Sequence, residues 1–500
     1  MTDQASGLRL GIVGAGAMGS GIAQVALQGG LEVVLFDAKP DALPGVRDRI
    51  HARLDRLVEK GEAAAETTVQ AKAGLRLANG LADLAQCSIV IEAVFEDLDI
   101  KRALLRELEA VVAEDAIIAS NTSSLPIAAL ARGCMHRRRI AGMHFFNPVP
   151  LMRLVEVIRG ADTDDEVVER LVALGRRMGR TPVVVKDAPG FLVNLGGRAF
   201  ATEALHIAQE GVAEPAAIDA VMRDCCGFRM GPFELMDLTG IDVNYPATEV
   251  IYRGYQHDPR LKTAPLHESL FHAGRHGRKT GIGFYRYGEG GRPLRAAEPE
   301  PAGLPARRLF LPEADDRLLS FAVAAGVDAI GHDDGTSPIV IAPLGEDCTT
   351  ACIRVGLDHR RTVAIDLSHD TSKRLTIMSA PGADPEAASA VAAMLRASGR
   401  AVTRINDGPG FIAQRITAMI ANLGCEMAQI GLASPADIDT AMRLGLNYPA
   451  GPLALADSMG VATVHTILTR LQEITGSDRY RPSLWLRRRA LLGLSANTPE

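Results

Sequence analysis

Three motifs return at one fixed interval, and this repeat limits the folds open to the 500-residue chain more than any other feature. "GRTPVVVKDAPGF" over 179–191 returns as "GRAVTRINDGPGF" over 399–411. "GVAEPAAIDAVMR" over 211–223 returns as "GLASPADIDTAMR" over 431–443, and "GPFELMD" over 231–237 as "GPLALAD" over 451–457. The pairs Asp187/Asp407, Asp219/Asp439 and Asp237/Asp457 are each 220 residues apart. Three matches at one spacing mark a duplicated structural unit. Residues from 187 to about 288 carry a helical pattern, so the repeated unit is an all-α domain.

Ahead of the first copy, "LRLGIV", "GAGAMGSGIAQVALQGG" and "LEVVLFD" over 8–37 read as strand, glycine turn, helix and strand. The apolar runs "CSIVIEAVF", "AIIAS" and "RIAGMHFF" alternate with helical segments, the mark of a parallel α/β sheet. Part of this sheet is echoed as well: "IVIEAVFED" over 89–97 resembles "IVIAPLGED" over 339–347. The second version has no glycine fingerprint, and "LLSFAVAAGVDAIGHDDG" before it reads as too short for a strand–helix–strand unit.

Five hundred residues exceed one hydrophobic core. The expected division is a dinucleotide-binding Rossmann domain over 1–186, a helical domain over 187–288 and a Gly/Pro/Ala-rich linker over 289–308. A degenerate Rossmann-like remnant over 309–405 and a second helical copy over 406–500 complete it. A net charge of −6 supplies no basic field for nucleic acid or anionic membrane. No apolar run reaches membrane-helix length, and the N-terminus shows no signal peptide. Seven scattered cysteines without a paired metal spacing read as reduced thiols in a cytoplasm, with no metal site.

"GAGAMG" supplies Gly14 for a tight turn, Gly16 for close approach of a pyrophosphate and Gly19 for helix-on-strand packing; Ala17 and Met18 open the helix whose N-terminus meets the phosphates. Asp37 closes the next strand, where a carboxylate suits the ribose hydroxyls of NAD and repels a 2′-phosphate. An alcohol–ketone oxidoreductase built on such a cofactor needs a base, and His144 in "HFFNPVPLMRLVEV" suits it, with Glu156 to hold its other nitrogen. A lone histidine after a strand also reads as a hydrogen-bonded core group. "NTSS" over 121–124 and Asn147–Pro148 put further polar groups at strand C-terminal ends, where ligands of such sheets bind.

GAGAMG, "EAVFEDLDIK", "SNTSSLPI", "HFFNPVPLMRLVEV", "KDAPGFLVN", "MGPFELMD" and "GRKTGIGFY" occur in one order over 8–287 and together resemble the 3-hydroxyacyl-CoA dehydrogenase family. The C-terminal extension resembles its long bacterial branch, which includes 3-hydroxyadipyl-CoA and 3-hydroxybutyryl-CoA dehydrogenases. The resemblance implies an NAD-dependent oxidation of (S)-3-hydroxyacyl-CoA to 3-oxoacyl-CoA, in fatty-acid or phenylacetate-type aromatic catabolism. His144 then matches the general acid/base and Glu156 its orienting carboxylate. Ser123 and Asn194 match the groups on the substrate's hydroxyl and thioester carbonyl, and Asn147 the asparagine after the strand. Glu96, Lys101 and Ser123 match residues of the cofactor site, and Asp37 the ribose acid. Lys60, near the end of the arm "LPGVRDRIHARLDRLVEKG", falls where relatives contact coenzyme A. Plain readings stand beside these: Asn194 as a helix residue, Lys101 and Lys60 as solvated charges.

The chain departs from the family at Leu195, where arginine is common, and at Arg229, where proline is common; Arg229 or Arg198 is the candidate partner for a carboxylate at the substrate's far end. In the second half Asp366 aligns with His144, Ile377 with Glu156 and Gln414 with Asn194, which leaves one active site per chain. The tandem helical domains are expected to pair within the chain as a pseudo-dimer, with a homodimer as a further possibility. The rival readings are a dehydrogenase of a free hydroxy acid on the same fold and a non-catalytic structural protein.

Overall fold

The computed structural model describes residues 8–294, 303–313 and 316–500, and residues 295–302 of the expected linker lie outside that range. The described chain forms two compact units, one running to Leu195 and adding Gly431–Leu446, the other made of Gly196–Ile430 and Asn447–Glu500.

The first unit holds an eight-stranded sheet. Its strands are β1 (Arg9–Val13), β2 (Glu32–Phe36), β3 (Leu75–Leu77), β4 (Ile89–Glu92), β5 (Ile117–Ser120), β6 (Ile140–Phe145), β7 (Leu154–Arg159) and β8 (Thr181–Lys186). They lie in the order β3-β2-β1-β4-β5-β6-β7-β8. All neighbours are parallel except β6 and β7. The near-continuous apolar strands follow from this arrangement, because helices cover both faces and no strand residue needs to be polar on alternate positions. One such cover is Asp165–Arg177, which sets Asp165 and Glu166 in its first turn, Arg176 and Arg177 in its last, and buries Val168, Leu171 and Leu174. The end charges complement the helix dipole, and each buried leucine contributes about 2 kcal/mol, so Leu171→Ala is the single change that loosens this layer most.

The second unit carries a six-stranded sheet. Its strands are β9 (Arg308–Phe310), β10 (Asp328–Ile330), β11 (Ile339–Ile341), β12 (Thr362–Ile365), β13 (Arg374–Met378) and β14 (Ala401–Ile405), in the order β10-β9-β11-β12-β13-β14. Here the sequence reading needs two corrections. A strand–helix–strand unit is present after all: β9, the helix Asp316–Ala325 and β10 form it, with β10 parallel to β9. Its first strand is "RLF", three residues beginning at the last residue of the stretch read as linker and too short to show a period. The second correction concerns register. β12 and β13 are antiparallel, as β6 and β7 are, with Ile365 opposite Ile377. The amide of Asp366 then donates to the carbonyl of Thr376. On β7 Glu156 pairs with Val183, and on β13 Thr376 pairs with Thr403, each 220 residues on. Thr376, not Ile377, therefore occupies the place of Glu156.

The repeat is visible in contacts. In the second unit the amide of Asn406 donates to the carbonyl of Val212, 2.9 Å. In the first unit the amide of Lys186 donates to the carbonyl of Leu432, also 2.9 Å. The two contacts exchange under the 220-residue shift. Asp237 accepts from the Phe284 and Tyr285 amides and the Tyr287 hydroxyl, which ties "GPFELMD" to "GIGFYRY". Asp457 does the same for its own copy, accepting from Ser495, Ala496 and Asn497.

Candidate active site

The glycine turn sits at the C-terminal end of β1. Gly14 has φ +99°, and a Cβ there would stand 2.6 Å from the carbonyl oxygen of Ala93. A Cβ on Gly19 would fall 1.8 Å from the carbonyl oxygen of Gly14, whereas one on Gly16 would meet nothing within 4 Å. The first and third glycines thus bring helix Ala17–Gln28 against its strand, and the second faces open space at that helix's N-cap. This is the cradle a dinucleotide pyrophosphate needs, free backbone at a helix N-terminus with no side chain in the way. Ala17 is exposed and Met18 half-buried beside it. Asp37 takes the Ala15 amide on Oδ2 (2.7 Å) and the Lys39 amide on Oδ1 (2.9 Å), which fixes its carboxylate at the edge of the turn with lone pairs to spare.

His144 and Glu156 lie directly opposite each other on β6 and β7, so their side chains leave the same face of the sheet. Met143, Phe145, Val155 and Val157 point to the other face, into the core. His144 Nδ1 lies 2.6 Å from Glu156 Oε2, and both groups are buried. Glu156 Oε1 accepts from the amides of Leu192 (3.1 Å) and Val193 (2.9 Å), so both carboxylate oxygens are occupied and the group cannot turn. A carboxylate that accepts at Nδ1 requires the proton there and leaves Nε2 with its lone pair. Among the described residues Nε2 has no hydrogen-bond partner, while Phe146 (4.4 Å between ring centroids) and Phe191 (6.0 Å) hold the ring's faces. Such a ring is a positioned base with its working nitrogen open.

A second polar group closes the ends of β4 and β5. Glu96 accepts from the Thr122 hydroxyl (2.7 Å), the Ser123 amide (2.8 Å) and hydroxyl (3.2 Å), and the Ser124 amide (3.1 Å). Burial alone would raise its carboxyl, yet the Thr122 hydroxyl, the Lys101 ammonium and the Ser123 amide together hold it below the ordinary carboxylate range. Lys101 needs correction: it is neither a solvated helix charge nor an open wall of the cofactor site. Its side chain is 1% exposed, with Nζ 2.9 Å from both oxygens of Glu92 and 3.4 Å from both Glu96 Oε2 and the carbonyl of Val94. Ser120 completes this group by donating to Glu92.

Asn194 Nδ2 donates to the carbonyl of Ser123 at 3.4 Å, which brings the "NTSS" and "PGFLVN" motifs together. Asn147 is exposed just past β6 without a side-chain partner among the described residues, and Lys60 is exposed at the C-cap of helix Leu43–Glu59. Arg198 is held by Thr248 (2.7 Å) and the carbonyl of Asn244, whereas Arg229 is exposed. Sequence reasoning missed Glu92, Thr122 and the Leu192 and Val193 amides. Glu92 had a signal, an acid ending the apolar run "IVIE"; backbone donors leave none.

In the second unit the aligned positions close on one another. Gln414 Nε2 donates to Asp366 Oδ1 (3.0 Å) and to the carbonyl of Pro343, and its Oε1 accepts from the Gly345 amide. Ser368 occupies the same oxygen of Asp366 (2.6 Å). No helix among the described residues is long and apolar enough to cross a membrane, and none of their His, Cys, Asp and Glu side chains cluster for a metal ion.

Comparison with known proteins agrees with this chemistry. Residues 9–188 match the 3-hydroxyacyl-CoA dehydrogenase NAD binding domain, and residues 190–287 and 410–498 match the family's C-terminal domain. The chain is 38% identical over 482 residues to a 3-hydroxyadipyl-CoA dehydrogenase of Escherichia coli, covering 96% of this chain and 97% of that one. It is 41% identical to a probable 3-hydroxybutyryl-CoA dehydrogenase of Deinococcus radiodurans, covering 56% of this chain and all of the relative. A crystal structure of 3-hydroxybutyryl-CoA dehydrogenase from Escherichia coli superposes with a TM-score of 0.85 at 37% identity, over 97% of this chain and 98% of the other. The chain belongs to the 3-hydroxyacyl-CoA dehydrogenase family, as an NAD-dependent oxidoreductase.

Proposed function

We propose that this enzyme oxidises an (S)-3-hydroxyacyl-CoA to the 3-oxoacyl-CoA with His144 as its base. The observation that carries this is the 2.6 Å contact between His144 and a Glu156 fixed on its far side, with Nε2 left open. NAD, when bound, supplies the hydride acceptor. Nε2 of His144 removes the proton of the substrate's 3-hydroxyl as C3 is oxidised, and returns it in the reverse direction. Glu156 keeps the proton on Nδ1 and stabilises the imidazolium that forms. Asn194 and Ser123 orient the hydroxyl and the thioester carbonyl, Asn147 borders them, and Gly14, Gly16, Gly19, Asp37 and Glu96 hold the dinucleotide. Lys101 serves through Glu96 as a positioning residue. Lys60 contacts coenzyme A.

The second copy is non-catalytic, a reading supported by Asp366 and Gln414 satisfying each other and by Thr376 in the place of a carboxylate. The tandem helical domains form an intramolecular pseudo-dimer. This draws support from the exchanged contacts of Val212 with Asn406 and Leu432 with Lys186. We keep the domain order read from the sequence, with the second sheet beginning at Arg308. None of the seven cysteines forms a disulfide, which suits a reducing cytoplasm.

The substrate class we favour carries a carboxylate at its far end, with the exposed Arg229 as its partner. Acetoacetyl-CoA and 3-oxoadipyl-CoA, assayed by NADH consumption with wild type and Arg229→Ala, test both ideas. Preference for 3-oxoadipyl-CoA is expected to drop about threefold to fivefold in the variant, the worth of one solvated ion pair. Equal preference in the two proteins removes Arg229 from the reading, and activity on free 3-oxo acids but not thioesters overturns the substrate class.

A further inference from the structure

The second unit contains a buried charge cluster that catalysis does not use. It lies between the core helix of the first helical copy, Arg198–Gln209, and that of the second, Ala413–Gln429. Arg415 is fully buried. Its Nε donates to Glu203 Oε1 (2.9 Å), one terminal nitrogen to Glu210 (2.7 Å) and the other to the Tyr480 hydroxyl (2.6 Å). Arg479 donates to Glu203 Oε2 (2.7 Å) and to Thr202 (2.9 Å), and the Tyr480 hydroxyl to Glu203 Oε1 (2.9 Å). Burial alone would raise the Glu203 carboxyl, but Arg479 and Arg415 hold it down at about 2. On the other side of the joint Arg260 reaches Glu426 (2.8 Å) as well as its own Asp258.

What matters is that the repeat does not preserve these charges. Under the 220-residue shift, Arg415 corresponds to Leu195, Glu203 to Leu423 and Glu210 to Ile430. The caps Asp258 and Ser477, which accept from the amides of Arg260 and Arg479, align those two arginines and set Leu261 opposite Tyr480. If the second copy paired with its own like, the buried Arg415 would face Leu423 and Ile430, keeping one hydroxyl and no carboxylate. If the first paired with its like, Glu203 would meet Leu195 and Leu261 in place of Arg415 and Tyr480, and would keep one arginine, Arg260 in the place of Arg479. A buried charge stripped of its partner is among the most costly defects a joint can carry. Unlike pairing satisfies every group.

From this asymmetry we infer that the Arg415–Glu203 cluster makes the helical joint selective for unlike copies, so that each copy accepts the other and rejects a second copy of itself. The joint is thereby reserved for one chain, or for two chains that exchange halves, and is closed to symmetric dimers of the first or the second copy. This inference rests on the tandem-copy pairing proposed above.

The test uses the full chain with a protease recognition sequence placed within 295–302, cleaved after folding. Cleaved protein is mixed with isotope-labelled cleaved protein, and urea is raised until labelled and unlabelled fragments exchange. Native mass spectrometry then counts the pairs. Unlike pairs are expected throughout, with like pairs below about 1 in 100. Fragments that part and never re-form a 1:1 complex overturn the pairing itself; 1:1 complexes accompanied by like pairs at about 1 in 10 or more overturn only the selectivity. Glu203→Leu with Arg415→Leu, which makes both positions match Leu423 and Leu195, is expected to raise like pairs at least about tenfold. Arg415→Lys keeps a cation in a folded joint while losing the guanidinium fork, and is expected to raise them by a smaller factor. Like pairs unchanged from wild type in either variant overturn the assignment to this cluster.

Discussion

Replacing Glu156 by glutamine changes one oxygen to an amide nitrogen and almost nothing in volume, so its effect isolates the carboxylate's role. Oε1 accepts from two amides, Leu192 and Val193, and only an oxygen can stay there. The new amide nitrogen must therefore face His144 Nδ1, 2.6 Å away in the wild type. An NH2 donor at that point demands a lone pair on Nδ1, which moves the ring proton to Nε2. Nε2 then cannot accept the substrate's proton. Reversing the amide merely transfers the conflict to the two backbone donors. The charge that stabilised the imidazolium is lost as well. Base catalysis contributes about 10²–10⁴-fold, or about 3–5 kcal/mol of barrier, and most of it is expected to vanish from kcat for acetoacetyl-CoA reduction. NADH binding, followed by its fluorescence, is expected to hold within about twofold, because the glycine turn lies on β1 rather than on the β6–β7 hairpin. The sharper requirement is non-additivity: Glu156→Gln, His144→Ala and the double variant should show nearly the same kcat, since two residues acting as one unit can be lost only once. Effects that multiply, or a single-variant loss of less than about tenfold with NADH binding intact, would refute the pairing.

Two other outcomes follow from the same geometry. Gly16→Ala is expected to fold with a melting temperature within about 2 °C of wild type, because its Cβ meets nothing within 4 Å, yet to raise the KM for NAD about tenfold or more by filling the cradle; Gly19→Ala, driven into the carbonyl of Gly14, should lose stability outright in the same melting experiment. Glu203 sets an acid limit: its folded carboxyl stands at about 2 against roughly 4.3 in an unfolded chain, so its contribution is complete above that unfolded value and is lost as pH falls through about 2. The difference amounts to about 3 kcal/mol, and urea unfolding from pH 6 to 3 should show a steeper fall in wild type than in Glu203→Gln, which is less stable at pH 6 but flatter.

The glycine turn, the parallel α/β sheet and the His144–Glu156 pair were legible because each has a local cause. A turn with positive φ needs glycine, a parallel sheet covered on both faces needs unbroken apolar runs, and two adjacent strands bring residues twelve apart face to face. What escaped the sequence lacks a local cause. The strand β9 is three residues long, so no period could reveal it. The place of Thr376 depended on strand register, and a slip of one residue exchanges a core-facing side chain for one on the opposite face. Lys101 looked like any helix lysine, because its partner Glu92 is nine residues away on a strand and only the fold closes that distance.

The two sheets together say why His144 reads as a base rather than as a satisfied core histidine. Buried polar groups in proteins find partners, and a group that does not is either costly or in use. At the equivalent place in the second unit three side chains obey that rule: Asp366, Ser368 and Gln414 bond one another and backbone groups, and Gln414, one methylene longer than Asn194, is long enough to reach Asp366 and close the space. In the first unit the same positions stop short. Asn194 bonds the carbonyl of Ser123, Asn147 has no side-chain partner among the described residues, and His144 keeps Nε2 open although its other nitrogen is held 2.6 Å from Glu156. Had selection on this face favoured stability alone, the longer amide would have served both sheets. Polar capacity left open on one side of a fixed histidine is what a substrate hydroxyl and carbonyl require, and the sheet whose equivalents are consumed by one another shows how little it would take to lose it.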